Sequence, residues 1–315
     1  MRVIFHFRAG EWLSARLGAL SDEAGLDVSV IAPDDHAAFE AALPDTDILW
    51  HVLEPFTAAH AAIAPNLKLV QKIGIGVNTI DLEAAKARGI AVCNMPGTNS
   101  RAVAEMALAL MLGCLRRIPV FHQATRAGSG WAVPIDMMES TAEIGGRTVG
   151  LVGFGAVPSL LAPTLTAMGA RVIYSETVAK PDVPYERREF DELLAESDIV
   201  SLHIPLFPET ENLIDSAALA RMKPGAILIN TARGGLVDQP ALIDALRSGQ
   251  IAVAGLDVLA EEPVDPTDPI LTVENVITTP HVSWLTRETL LRSLDVAVDN
   301  CARVRDGRDL AHQVA

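Results

Sequence analysis

Along the first hundred residues, short runs of β-branched and aliphatic side chains alternate with Ala-rich stretches whose apolar positions recur at helical spacing. The runs at 3–7, 28–32, 47–53, 67–73 and 91–94 are predicted strands. Between them, 11–24, 35–43, 57–63 and 81–88 are predicted helices, the last stopped by Gly89. Such alternation implies a parallel sheet covered on both faces. Pro96-Gly97-Thr98-Asn99-Ser100 then breaks the pattern, and Asn99 or Ser100 caps a long helix. In it Val103, Met106, Ala107, Leu110, Met111, Cys114 and Leu115 lie at helical spacing, but the other faces are apolar too, the mark of a buried helix. It is expected to make the first crossing between two domains. Residues 116–143, with Trp131 in the middle, read as a long excursion: a face for a partner subunit, or a loop folded on its own domain.

From Arg147 the alternation resumes. An apolar strand at 148–154 ends in Gly153-Phe154-Gly155, a helical segment follows to Met168, and a strand at 171–175 has Glu176 behind it. This is the strand, glycine turn, helix and strand of a dinucleotide-binding half-domain. Gly153 permits the tight turn, Gly155 lets backbone approach a pyrophosphate, and Glu176 stands where a carboxylate accepts ribose hydroxyls. The third glycine of the motif is replaced by Pro158. Proline is tolerable in a first helical turn, but Pro163 removes an interior hydrogen bond, so the helix is expected to start late or to bend. Further strands are predicted at 198–204, 226–231, 251–256 and 276–279, and helices at 189–195, 216–222 and 239–248. That makes six strands. A last helix over 287–305 is expected to return to the first domain, giving 1–98 plus 284–315 as one domain and 99–283 as the other.

Composition narrows the class. The chain has 315 residues, 50% of them hydrophobic, and carries a net charge of −15, which argues against nucleic acid and anionic membrane surfaces as partners. An anionic substrate therefore needs local cations. Three cysteines, Cys93, Cys114 and Cys301, lack metal-type spacing and read as buried thiols of a reduced compartment. No metal ligand set is read from the sequence. The longest apolar run, 106–115, is well short of the roughly 20 residues that span a bilayer. Met1-Arg2 leads straight into a strand rather than a secretory signal, so a cytoplasmic location is expected.

Three motifs fall at predicted strand ends of the second domain: Asn230-Thr231-Ala232-Arg233-Gly234-Gly235, Leu256-Asp257-Val258 running on to Glu261-Glu262-Pro263, and Thr279-Pro280-His281. Ligands of open α/β sheets bind at the carboxyl ends of strands. There an arginine binds a carboxylate and polarises its neighbouring carbonyl, a histidine exchanges a proton near neutral pH, and a carboxylate orients that histidine. Each residue alone has a plain structural reading, as a turn arginine, a loop cap and a helix-entry histidine. On successive strand ends they form a reaction centre.

The segments KIGIGVNTIDLEAAKARGIAVCNMPGTNSRAVAE, VGLVGFG, SLHIPLFPET, MKPGAILINTARGGLVD, GLDVLAEEP and TPHVSWLT resemble the D-isomer-specific 2-hydroxyacid dehydrogenases nearly end to end. The resemblance implies an α/β protein of two doubly wound parallel-sheet domains, a flavodoxin-like substrate domain and a Rossmann coenzyme domain. It implies Arg233 at the substrate carboxylate and carbonyl, His281 as acid/base and Glu262 as its support. Ile75 and Gly76 then offer backbone N–H groups to the carboxylate, with Lys72 a nearby cation. For the cofactor it points to Val103, Gly153, Gly155, Ala156, Val157, Glu176, His203, Ile204, Pro205, Thr210, Thr231, Ala232, Arg233, Asp257 and His281. The family commonly has Asp at the position of Glu176 and Arg at that of Ala156. Glu176 still repels a 2′-phosphate, which favours NAD over NADP. Trp284 is similar to the Trp of glyoxylate and hydroxypyruvate reductase members, where it would shorten the pocket; its other reading is a packing residue. The function implied is reduction of a short 2-oxo acid to the D-2-hydroxy acid by a homodimer built on the coenzyme domains. Two alternatives stand beside it, an NAD(H)-sensing corepressor-like protein without turnover and a phosphite-type dehydrogenase.

Overall fold

The computed structural model describes residues 1–178, 180 and 182–315. The chain divides into two compact units, Met1–Asn99 with Thr286–Ala315, and Ser100–Leu285. In the first, strands β1 (Arg2–His6), β2 (Asp27–Ile31), β3 (Ile48–His51), β4 (Leu69–Lys72) and β5 (Ala91–Cys93) form a parallel sheet in the order β2-β1-β3-β4-β5. This is the flavodoxin-like order. Helices α1 (Glu11–Ala24), α2 (His36–Ala42), α3 (Ala58–Ala62) and α4 (Leu82–Ala87) connect the strands. Asp35, Thr57 and Asp81 cap the last three by accepting backbone N–H groups of the first turn. Ile4, Leu49 and Val70 pack with Phe39 and Phe56 in one buried cluster.

The second unit opens with α5 (Ser100–Leu115), followed by α6 (Ile118–Arg126) and α7 (Ile135–Glu139). Helix α5 is a core element here: Ala104, Ala107, Leu110, Met111 and Cys114 pack with Val149, Leu151, Ile227 and Ile229. Contact is close enough that a Cβ at Gly255 would lie 3.0 Å from Leu110 Cβ. The sheet is seven-stranded: β6 (Thr148–Val152), β7 (Arg171–Ser175), β8 (Glu186–Arg187), β9 (Ile199–Leu202), β10 (Ala226–Asn230), β11 (Ile251–Leu256) and β12 (Val276–Thr278), in the order β12-β11-β10-β9-β6-β7-β8. All pairs are parallel. The six strands expected are therefore seven, with β8 added at one edge. Alternate residues face opposite clusters, Ile227 and Ile229 toward α5 and α8 (Ala156–Ala167), Leu228 toward α9 (Phe190–Glu196), α10 (Ser216–Arg221) and α11 (Gln239–Ser248).

Helix α8 starts directly after Gly155 and runs through Pro163. The late start is thus corrected: Pro158 is the third helical residue, where an N–H has no intrahelical partner to lose. The excursion 116–143 holds α6 and α7. Neither helix buries a residue, and Ile118, Trp131 and Ile135 are exposed.

The final helix, α12 (Arg287–Asp306), belongs to the first unit. Its Asn300 donates to Gln71 Oε1 at 2.6 Å, and Val92 N–H bonds the carbonyl of Ala315, so the chain end lies along β5. All three cysteines are free and buried. Among the described residues no helix is long and apolar enough to cross a membrane.

Candidate active site

The order of the seven strands reverses direction between β6 and β9, and the carboxyl end of that junction is where an open α/β sheet binds ligands. Gly153, at φ 88°, makes the turn there. A Cβ on it would meet the His203 carbonyl oxygen at 2.7 Å, so only glycine fits. Gly155, by contrast, faces open space and precedes the first turn of α8. Glu176 directly follows β7 and accepts the Phe154 N–H through Oε2 at 3.0 Å. Ala156 is exposed and Val157 half-buried beside it. His203 follows β9, bonds Ser201 Oγ at 2.9 Å and is pushed by burial down to about 4, an uncharged ring. Thr210 uses its hydroxyl to close the loop after it, accepting from Phe207 N–H and donating to the Pro205 carbonyl.

The ends of β10, β11 and β12 carry the candidate reacting groups. Asn230 shapes the first loop, accepting the Ala232 N–H at 3.0 Å and donating to the Arg233 carbonyl at 2.8 Å. Arg233 is half-buried; burial pulls its guanidinium below the usual arginine range, while the charge of Glu262 opposes that shift. Gly234 has to be glycine, because a Cβ would overlap the Leu259 carbonyl. That near-contact brings the Arg233 loop against the loop bearing Glu262.

Asp257 is the hub of the next loop. It is 1% exposed and accepts from Thr279 Oγ1 at 2.5 Å, Val282 N–H at 3.0 Å, Ser283 N–H at 2.9 Å and the Ser283 hydroxyl. His281 N–H bonds the Asp257 carbonyl at 2.8 Å. This web holds His281 at φ 53°, a left-handed conformation that few non-glycine residues adopt. Its Nδ1 lies 2.6 Å from Glu262 Oε2, and Glu262 Oε1 accepts the Leu259 N–H at 3.0 Å. Burial works to raise the Glu262 carboxyl, but the His281 hydrogen bond, the Leu259 N–H and the nearby cations outweigh it and hold the carboxyl below its usual range. Trp284, buried, donates from Nε1 to the His281 carbonyl at 3.0 Å.

In the first unit, the loop after β4 is pinned to the end of β5 by Met95 N–H on the Gly74 carbonyl and Asn94 on the Ile75 carbonyl. Ile75 is exposed and Gly76 half-buried. Lys72 is buried and donates to the Val52 carbonyl.

A family model described as D-isomer specific 2-hydroxyacid dehydrogenase, NAD binding domain, matches residues 108–283. The chain belongs to this family. It is 40% identical over 295 residues to the D-3-phosphoglycerate dehydrogenase of Mycobacterium leprae, covering 92% of this chain and 54% of that one. The chain thus spans about half the length of that relative. It is 36% identical over 281 residues to the glyoxylate reductase of Korarchaeum cryptofilum, covering 88% and 85% of the two chains. The crystal structure of the TT0316 protein from Thermus thermophilus superposes with a TM-score of 0.91 at 36% identity over all of both chains.

The family's NAD-binding domain has room for its cofactor in this chain. The exposed Gly155 cradle would be filled by a side chain, Glu176 keeps Oε1 without a partner among the described residues, and the Thr231 hydroxyl is buried at the end of β10 with none. Val103 is buried in α5, whereas Ile204, Pro205 and Ala232 stand on the loops after β9 and β10. Sequence reasoning missed what Asn230, Ser283 and Gly234 do. Of these only the glycine left a signal, its place in an Arg-Gly-Gly turn.

Proposed function

We propose that the protein is an NAD-dependent reductase that converts a short 2-oxo acid, of the glyoxylate or hydroxypyruvate class, to the D-2-hydroxy acid. The observation that carries this reading is the 2.6 Å contact between His281 Nδ1 and Glu262 Oε2, on a loop packed against that of Arg233. With Nδ1 held by a carboxylate, Nε2 is the nitrogen left to give a proton to the substrate carbonyl oxygen, or to take it back in the reverse direction. Arg233, fixed by its own loop and partly desolvated, stabilises negative charge developing on that oxygen. Bound NADH supplies the hydride that reduces the carbonyl carbon. In the first unit, Ile75 and Gly76 have N–H groups with no partner among the described residues, donors of the kind a carboxylate takes, and Lys72 is a cation of the same unit. Trp284 limits the side chain accepted.

Identity to a phosphoglycerate dehydrogenase supports a second reading, in which the acid carries a phosphate. The exposed Trp131, Ile118 and Ile135 support a homodimer formed through the second unit. The test is turnover of NADH with glyoxylate, hydroxypyruvate, pyruvate and a longer branched 2-oxo acid, and of NAD with 3-phosphoglycerate. Turnover of a short acid should fall roughly 10²–10⁴-fold in His281→Ala. NADH binding with no turnover of any acid would instead favour a sensor, and preference for 3-phosphoglycerate the second reading.

A further inference from the structure

Glu176 does not stand alone at the end of β7. Its Oε2 accepts the Phe154 N–H at 3.0 Å and lies 3.4 Å from Lys180 Nζ. The same ammonium donates to the Phe154 carbonyl at 2.6 Å. Carboxylate and ammonium therefore clasp both backbone polar groups of the residue between Gly153 and Gly155. Behind them Arg187 donates from Nε to the Glu176 carbonyl at 3.0 Å and from Nη1 to Glu189 Oε1 at 2.7 Å. Two acids and two bases meet at this strand end, and their formal charges cancel.

A lone carboxylate at this point of a dinucleotide fold accepts ribose hydroxyls and repels a 2′-phosphate. The repulsion is Coulombic, so a cation within 4 Å of the carboxylate offsets most of it. Lys180 is such a cation. An ammonium has three donors; the Phe154 carbonyl takes one of those on Lys180, and Glu176 stands 3.4 Å away as its ion-pair partner. Its side chain is 43% exposed against 23% for Glu176, so it can turn outward with an incoming phosphate while the carboxylate stays on the Phe154 N–H.

We infer that this site accepts NADP(H) as well as NAD(H), and that Lys180 is the residue that makes the second cofactor acceptable. The inference rests on the proposed placement of the adenine ribose at Glu176. In the competing view Lys180 only anchors the glycine turn and affects both cofactors alike.

Titration of the full chain with NADH and with NADPH, followed by nicotinamide fluorescence, separates the two. The wild type is expected to bind both, with dissociation constants within about tenfold of each other. Lys180→Ala should weaken NADPH at least about tenfold more than NADH, and added salt should erode the NADPH advantage of wild type over variant. Glu176→Gln should shift the ratio the other way, toward NADPH. A wild type that binds NADH and not NADPH overturns the inference and leaves the NAD-dependent reading standing. So does a Lys180→Ala variant that weakens both by the same factor. Failure to bind either cofactor overturns the cofactor-site assignment and the inference together.

Discussion

The first sheet ends three adjacent strands, β1, β3 and β4, in His6, His51 and Lys72, which pair in register and so share one face. The second ends β10 in Asn230 and follows β11 with Asp257. Topology brings polar groups to the same place in both, but they are treated differently. In the first unit His6 Nε2 and His51 Nδ1 are buried with no hydrogen-bond partner among the described residues, although His51 Nε2 meets the Glu54 carbonyl, and burial drives His6 down to about 4 and His51 well below its usual range. In the second, Asn230 and Asp257 are satisfied by the loops they shape, and at their rim Glu262, whose partners hold its carboxyl below the usual range, bonds His281. Burial without a partner removes charge; a hydrogen-bonded partner preserves it. Proton transfer to a substrate is better served by the second arrangement, which supports the second unit's strand ends as the proposed reaction site over the larger collection of histidines in the first.

The strongest way to break this contrast is to remove the hub. Asp257→Ala leaves four donors without their acceptor, two of them backbone N–H groups at Val282 and Ser283. The two hydroxyls can turn to other partners but the two backbone N–H groups cannot, and at roughly 1–3 kcal/mol for each buried unsatisfied donor a loss of about 2–6 kcal/mol is expected in urea unfolding. Activity should fall as well, since the left-handed His281 loses the web that holds it. A variant as stable as wild type would mean that the 279–283 loop holds itself.

The next test acts on charge rather than on shape. Glu262 is kept ionised at neutral pH by its partners, and Glu262→Gln keeps the size of the side chain while removing that charge. Reduction should drop roughly 10–100-fold, less than for loss of the general acid itself. In wild type, reduction should also fall at low pH as Glu262 takes up its proton, below the usual carboxylate range, a fall that the amide cannot show. A pH–rate profile identical to wild type would leave Glu262 as no more than a loop cap.

The contrast between the units also sets what could be read from the sequence. Helices α1 and α11 and strands β7 and β11 have the ends predicted for them, because their apolar spacing is unbroken between clear caps or turns. Strand β8 was invisible: it is two polar residues, held at the sheet edge by Arg171, Arg188, Glu186 and Glu196, whose pairs span 2.5–2.9 Å. No hydrophobic period marks such a strand. The Arg, Glu and His of the site were legible as residue types on successive strand ends. What the sequence did not disclose was how they are held, since Asp257 reaches residues more than twenty positions away and Gly234 is dictated by a carbonyl on another loop.

The smallest expected effect sharpens the other side of the contrast. His6 is stacked on Phe39, with ring centroids 3.9 Å apart, and its depressed value comes first from burial, then from the charges of His60 and His36. An unfolded chain takes up the proton of this residue near the ordinary value of about 6.5, whereas the folded chain resists until about 4. Between those values the unfolded state binds more protons, so stability falls as pH falls through the window and levels off below it. His51 and His203, also depressed, add to the same slope. His6→Phe keeps an aromatic ring against Phe39 and removes the titration. Its urea midpoint should therefore decline less than that of wild type between pH 7 and pH 5, by up to one proton's share of the slope. Equal declines in the two proteins would show that His6 takes up its proton as readily in the fold as in the unfolded chain, and the contrast between the two sets of strand ends would fail at this residue.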